Sequence, residues 1–312
     1  RYPLSVYVYQ GSSIGIPSSA TTTLTGVSAD NLGVSVAGAG DVNQDGYSDV
    51  IVGAPGYSFD TGRAFIYQGS TSGPSTIAAT VLTGVTTHTY FGRAVDGAGD
   101  VNGDGFDDVV VGAYGGSSHI GCAYVYLGTA SGVDPTIATT LTESSNRYDY
   151  FGYSVSSAGD VNGDGFDDII VGRPGYNNDS GSAYIYQGSA TGLLSSASTT
   201  LSGSASSHSG WSVSDAGDVN GDGYGDVIVG AYGDNLNTGE ASVFYGSSTG
   251  LSSTAGASLT EGTGDYFGYS VSGAGDLNAD GYADVVVGAW QYGSYAGRVY
   301  TYHGSSTGLS TT

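Results

Sequence analysis

Apolar residues in this chain come in short runs, and the runs recur. The tightest are DVIVGA at 49–54, DVVVGA at 108–113, DIIVGR at 168–173, DVIVGA at 226–231 and DVVVGA at 284–289. Each is continuous rather than alternating, the pattern of a strand covered on both faces. A second kind of run mixes small or aliphatic residues with aromatics: AFIYQG at 64–69, AYVYLG at 123–128, AYIYQG at 183–188, ASVFYG at 241–246 and VYTYHG at 299–304. A further copy, VYVYQG, opens the chain at Val6–Gly11. A third, glycine-rich kind runs NLGVSVAGAGD, YFGRAVDGAGD, YFGYSVSSAGD, SGWSVSDAGD and YFGYSVSGAGD, ending at residues 41, 100, 160, 218 and 276. The fourth is short and threonine-rich: TTTLTG, ATVLTG, ATTLTE, STTLSG and GASLTE, starting at 21, 79, 138, 198 and 256. Clusters of Gly, Ser, Asn and Asp separate all of them, which is turn chemistry. No stretch carries the apolar period of a long helix.

Four strand-like pieces per unit, on a period of 58 to 60 residues, predict an all-β fold. Four-stranded antiparallel blades repeated radially make a β-propeller, here of five blades. The glycine-rich run suits a crowded central channel as the innermost strand, and the threonine-rich run suits the outer edge. The count leaves one strand over. Five blades take 20 strands and the patterns number 21. The last unit has no fourth run after its third. TTTLTG near the N-terminus is expected to supply it and close the ring, which leaves Val6–Gly11 as a surplus N-terminal strand. The division is then residues 1–30, a closing or exchanged strand pair, and 31–312, one propeller domain of five repeats.

Charge narrows the function. The net charge is −23, with six arginines (Arg1, Arg63, Arg93, Arg147, Arg173, Arg298) and no lysine. Nucleic acid and anionic membrane surfaces are therefore poor partners, and cations are the natural ones. No run approaches the roughly 18 apolar residues of a membrane-spanning helix, and no membrane insertion is expected. The single Cys122 has no internal disulfide partner and starts a strand, where a small buried side chain is expected. The chain does not begin with Met, which a removed leader would explain and which points weakly to export.

The acidic residues are concentrated in one place. Between the glycine-rich strand and the continuous apolar strand of every unit lies D-x-N-x-D-G-x-x-D. The five copies are Asp41, Asn43, Asp45, Tyr47, Asp49; Asp100, Asn102, Asp104, Phe106, Asp108; Asp160, Asn162, Asp164, Phe166, Asp168; Asp218, Asn220, Asp222, Tyr224, Asp226; and Asp276, Asn278, Asp280, Tyr282, Asp284. Oxygen ligands at positions 1, 3 and 5, a glycine at 6 for the sharp turn and a backbone carbonyl at 7 match the first half of an EF-hand calcium loop. Position 9 adds a carboxylate, and a strand follows where an EF-hand has a helix. The aromatic at position 7 is expected to lend its carbonyl and bury its ring. Hard oxygen donors at this density suit Ca²⁺. Magnesium wants stricter octahedral geometry, and a set without His or Cys argues against zinc. Asx-rich turns can form without metal, but five intact copies on one period favour about one calcium per repeat, five in all, held for structure.

With these motifs in place, the units resemble FG-GAP repeats, the blades of the integrin α-subunit propeller. FG stands at Phe91-Gly92, Phe151-Gly152 and Phe267-Gly268, with Leu32 and Ser209 replacing the phenylalanine in the first and fourth units. GAP stands intact at Gly53-Ala54-Pro55, with variants at Gly112-Ala113-Tyr114, Gly172-Arg173-Pro174, Gly230-Ala231-Tyr232 and Gly288-Ala289-Trp290. The resemblance covers nearly the whole chain. It implies calcium at the D-x-N-x-D-G positions, and an extracellular adhesion or ligand-binding role. Integrin propellers have seven blades against five units here.

Little else in the chain carries chemistry. His88, His119, His208 and His303 fall in no catalytic or metal-ligand spacing and are expected on loops, and no phosphate-binding loop precedes a helix. An enzyme is not expected. Asn178-Asp179-Ser180 is an N-glycosylation sequon, and Trp211 and Trp290 fall near blade edges, where they pack between blades or stack on a sugar. The expected function is a secreted or cell-surface, calcium-stabilised structural or adhesion protein. Its partners are other protein chains, including copies of itself assembled head to tail through the spare strand. The alternatives are a lectin that binds glycans, or the non-catalytic propeller of a larger secreted enzyme.

Overall fold

The computed structural model describes residues 5–13, 15–26, 30–115, 120–143, 148–262 and 264–310. Arg1, His119 and Arg147 therefore lie outside the described residues. The described residues are all-β, with 21 strands in six antiparallel sheets. Blade one is Val36–Gly40, Asp49–Ala54, Arg63–Tyr67 and Thr80–Thr83. Blade two is Ala94–Gly99, Asp108–Ala113, Cys122–Tyr126 and Thr139–Leu141. Blade three is Val155–Gly159, Asp168–Arg173, Ser182–Tyr186 and Thr199–Ser202. Blade four is Ser212–Gly217, Asp226–Ala231, Glu240–Phe244 and Ala257–Leu259. Blade five has three strands, Phe267–Gly275, Asp284–Ala289 and Arg298–Tyr302. The sixth sheet has two, Ser5–Val8 and Thr22–Thr25.

That last pairing corrects one expectation. TTTLTG does not complete blade five, because Thr22–Thr25 pairs with Ser5–Val8 in the register Val6 to Leu24. The register repeats Ala64 to Leu82 and Ala241 to Leu259, so the hairpin is the outer half of a further blade. Its Leu24 is buried against Leu32, Val52, Ala54 and Tyr67 of blade one, as Leu82 is buried against blade two. Apolar complementarity to the neighbouring blade therefore decides where the strand goes. On the other side of the array, blade five exposes Val299 at 69 %. Among the described residues the blades form an arc without a closed sheet.

The motifs FG and GAP have a packing cause. Each FG glycine has a positive φ, and in blades one to four its N–H donates to the GAP glycine carbonyl of its own blade, as Gly92 does to Gly112. Its carbonyl points at the GAP glycine of the preceding blade. A Cβ on Gly53, Gly112, Gly172 or Gly230 would lie 1.9 to 2.2 Å from the oxygen of Gly92, Gly152, Gly210 or Gly268. Only glycine admits that approach. The phenylalanines before them fill the space between blades. Phe91, Phe151 and Phe267 are at most 1 % exposed, each meeting a tyrosine of its own third strand edge-on at 6.3 Å.

Among the described residues four one-turn segments, Tyr57–Asp60, Tyr176–Asp179, Asp234–Asn237 and Tyr292–Tyr295, follow second strands. All hold consecutive residues of positive φ, so they are left-handed turns rather than helix. The five innermost strands line one axial cavity of about 450 Å³ that includes Gly38, Gly97, Ser156, Asp215 and Gly273. The glycine-rich run is innermost, as its composition predicts.

Candidate metal-binding loops

The five acidic loops lie between the first and second strands of each blade, and they share one hydrogen-bond plan. The position-1 carboxylate accepts N–H groups from its own loop: Asp41 from Asp45 and Gly46 at 3.0 and 2.7 Å, and Asp100 from Gly103, Asp104 and Gly105 at 2.7 to 3.1 Å. Asp160, Asp218 and Asp276 do the same. The position-5 carboxylate accepts from the amide of position 7, as Asp45 does from Tyr47 and Asp164 from Phe166. The carboxamide at position 3 reaches the same carboxylate, with Asn43, Asn102, Asn162, Asn220 and Asn278 donating to Asp45, Asp104, Asp164, Asp222 and Asp280 at 2.8 to 3.0 Å. These side chains stand on the exposed rim of the loops.

Position 9 behaves differently. Asp49, Asp108, Asp168, Asp226 and Asp284 are at most 1 % exposed. One oxygen accepts the amide of position 2 (Val42, Val101, Val161, Val219, Leu277) and the other the glycine that ends the third strand (Gly69, Gly128, Gly188, Gly246, Gly304). Each of these carboxylates therefore ties its loop to the far side of its blade. Burial pushes Asp108, Asp168 and Asp226 up to about 7, against the two amides that favour the charge, and raises Asp49 as well. For Asp284 burial acts in the same sense but is outweighed by the Gly304 and Leu277 amides and by His303, whose Nδ1 is 3.1 Å away, so its carboxyl lies below the ordinary value.

The aromatic rings at position 7 have a use that sequence reasoning missed. The rings of Phe166, Tyr224 and Tyr282 lie over Gly103, Gly163 and Gly221 of the preceding loop, where a Cβ would meet ring carbon at 2.5 to 2.6 Å. Tyr47, in the first loop, is 40 % exposed. Sequence reasoning also missed the position-8 residues. Asp107 accepts the amide of Asp41 at 2.7 Å and Asp167 that of Asp100 at 2.9 Å, across blades. The backbone continues the belt, since residues 107, 167, 225 and 283 donate to the position-1 carbonyl of the loop before. The signal was present as a repeated second aspartate, DD at 107–108 and 167–168.

The oxygens that each loop offers from positions 1, 3, 5 and 7 are two carboxylates, one carboxamide and one backbone carbonyl, a set that fits a hard cation, with the buried position-9 carboxylate beside it. Among the described residues no three carboxylate, histidine or cysteine groups converge into a metal-holding set. The side-chain donor facing the position-5 carboxylate is the neutral asparagine Nδ2–H. Among the described residues, Asp284 is the one position-9 aspartate with a basic side chain, His303, within ion-pair distance.

The opposite mouth of the channel is aromatic. Arg93 sits 5.2 Å from the centre of the Tyr153 ring, Tyr153 is 4.5 Å from Trp211, Trp211 is 5.5 Å from Tyr269, and Tyr269 is 5.7 Å from Trp290. The two tryptophans, expected near blade edges, belong to this belt around the mouth.

A family model for the FG-GAP repeat matches residues 32–67, 91–131, 151–186, 209–244 and 267–302. The chain belongs to the FG-GAP repeat family. Among curated proteins it is similar to integrin alpha pat-2 of Caenorhabditis elegans, 32 % identical over 288 residues, 85 % of this chain and 23 % of that protein. It is 34 % identical to integrin alpha-4 of Xenopus laevis over 64 % of this chain and 20 % of that one. This FG-GAP chain thus spans less than a quarter of the length of these relatives. A solved structure of Chaetomium thermophilum Sqt1 superposes with a TM-score of 0.40 at 12 % identity, covering 88 % of this chain and 73 % of that one. Among the described residues no helix is long and apolar enough to cross a membrane.

Proposed function

We propose that this FG-GAP chain is a calcium-stabilised adhesion module that works outside the cell and binds other macromolecules without catalysis. The observation that carries the reading is the set of five oxygen-rich loops that share Asp, Asn, Asp, Gly and Asp at positions 1, 3, 5, 6 and 9, each anchored by a buried aspartate, in a chain of net charge −23. Position-1, -3 and -5 side chains and the position-7 carbonyl would hold the ion. Position 9 would add its charge while it clamps the loop. The ion would supply the positive charge that these clusters lack. The aromatic belt at the opposite mouth is the proposed contact for a protein partner, because exposed aromatic and arginine side chains dominate binding energy at interfaces. Glycans are a second partner class, since Trp211 and Trp290 of the belt can stack on a sugar face; separately, Asn178 of the sequon stands exposed on its left-handed turn, where it would accept an attached glycan.

The test is thermal unfolding with calcium, then with chelator, alongside native mass spectrometry. About five calcium ions per chain and a melting temperature that falls on chelation and recovers on re-addition are expected. Melting that ignores the chelator would refute the structural role. Head-to-tail fibre assembly through Val6–Gly11 requires Ser5–Val8 to leave Thr22–Thr25. Deletion of residues 1–11 is expected to abolish any oligomer ladder at micromolar protein.

A further inference from the structure

One blade interface breaks the repeat. In the other four blades the residue before the FG glycine faces a ring on the third strand. The pairs are Leu32 with Phe65, Phe91 with Tyr124, Phe151 with Tyr184 and Phe267 with Tyr300, the last three at 5.4 to 5.9 Å between ring centres. In blade four both positions are serine, Ser209 and Ser242. Two aromatic side chains are missing from the same place, and the space is not refilled. A cavity of about 270 Å³ opens there between blades three and four, lined by Ser207, Ser209, Ser242, Glu240, Asp234 and Phe244 among others. A void left by chance in a packed interface would be expected to cost stability and to be dry and apolar. This one is lined by hydroxyls and carboxylates around one aromatic ring.

We propose that the Ser209–Ser242 cavity is a binding site for a single neutral pyranose sugar. Serine hydroxyls both donate and accept, and carboxylates accept from pairs of hydroxyls, which suits a ring bearing several O–H groups. Phe244, 8 % exposed, offers the apolar surface that the C–H face of a sugar needs. Size agrees, since drug-sized ligands occupy roughly 300–1,000 Å³ and this space is slightly smaller. Charge excludes anions, because Glu240 and Asp234 both face the cavity in a chain of −23. Each carboxylate accepts a serine hydroxyl on one oxygen, Glu240 from Ser242 and Asp234 from Ser204, which leaves its remaining lone pairs to the O–H groups of a ligand. The site rests on glycans being partners and is independent of the calcium reading.

The experiment titrates the calcium-loaded chain with methyl glucoside, galactoside, mannoside and N-acetylglucosaminide, followed by saturation-transfer NMR and calorimetry. At least one is expected to bind saturably. Ser209→Phe restores the residue used by three other blades. It is expected to abolish binding while the melting temperature holds or rises and calcium stoichiometry stays the same. Ser242→Ala keeps the space, removes one hydroxyl, and is expected to weaken binding about tenfold, the factor for one lost hydrogen bond in a buried site. The proposal is overturned if no pyranoside binds, if Ser209→Phe and Ser242→Ala bind as the parent does, or if only an amine probe such as methylammonium binds. Loss of calcium binding with sugar binding intact would strike the functional reading above and leave this one standing.

Discussion

Asp96 gives the sharpest test of the energetics. It lines the axial cavity on the innermost strand of blade two, where Ser156 donates to its Oδ2 at 2.7 Å and the Gly97 amide to its Oδ1 at 3.0 Å. Burial pushes its carboxyl from 3.8 up to about 6; these bonds pull the other way, and the Asp215 carboxylate across the channel adds to the rise. A carboxyl raised in the folded state binds its proton more tightly there than in the unfolded chain. Below about pH 4 both states are protonated and stability is full. Between pH 4 and 6 the unfolded chain ionises first and stability falls, and above 6 the whole penalty applies. The gap from 3.8 to about 6 corresponds to roughly 3 kcal/mol. Asp96→Asn keeps the shape and can accept from Gly97 while Ser156 turns to accept from it. At pH 7 the variant is expected to be more stable by up to that amount, a rise of about 6 °C at ~2 °C per kcal/mol for a large domain. Below pH 4 the two proteins should coincide. Melts by circular dichroism from pH 3.5 to 8, with excess calcium, measure the difference, and the comparison cancels the other titrating groups. A constant offset across pH, or a variant less stable at pH 7, would refute the argument.

Three further outcomes follow from packing. Asp168→Ala removes the acceptor for the Val161 and Gly188 amides and is expected to cost roughly 2–4 kcal/mol, read as a lower urea midpoint with calcium and without. Gly121→Ala would place a Cβ 1.9 Å from the Phe151 carbonyl oxygen at a φ of +81°; a loss of about 3 kcal/mol or a failure to fold is expected, and neutral behaviour in expression and melting would contradict the blade contact. Phe151→Ala empties a fully buried position between blades two and three and should cost about 3–5 kcal/mol in denaturant unfolding.

Much of this protein is legible without coordinates. Continuous valine and isoleucine runs bounded by glycine and aspartate can only be covered strands, and their repetition sets the blades, their order and the strand count. The ligand-type loops are equally local, since Asp, Asn and Gly at fixed spacing build the turn from short-range hydrogen bonds. What pairs with what across the chain is not local. The threonine-rich strand at 22–25 has the same pattern whether it closes the last blade or joins Ser5–Val8, and Leu24 settles it by finding blade one. The aspartates at position 9 look like the others in the motif, yet only the tertiary fold buries them and gives both oxygens to backbone amides. Asp107 and Asp167 gain their role from a neighbouring blade, Trp211 and Trp290 from the convergence of strands at the channel mouth. Ser209 and Ser242 stand 33 positions apart, unremarked as a pair until the sheet sets them side by side. Sequence specifies what short-range chemistry can build, and the packing of blade on blade decides which of those pieces meet.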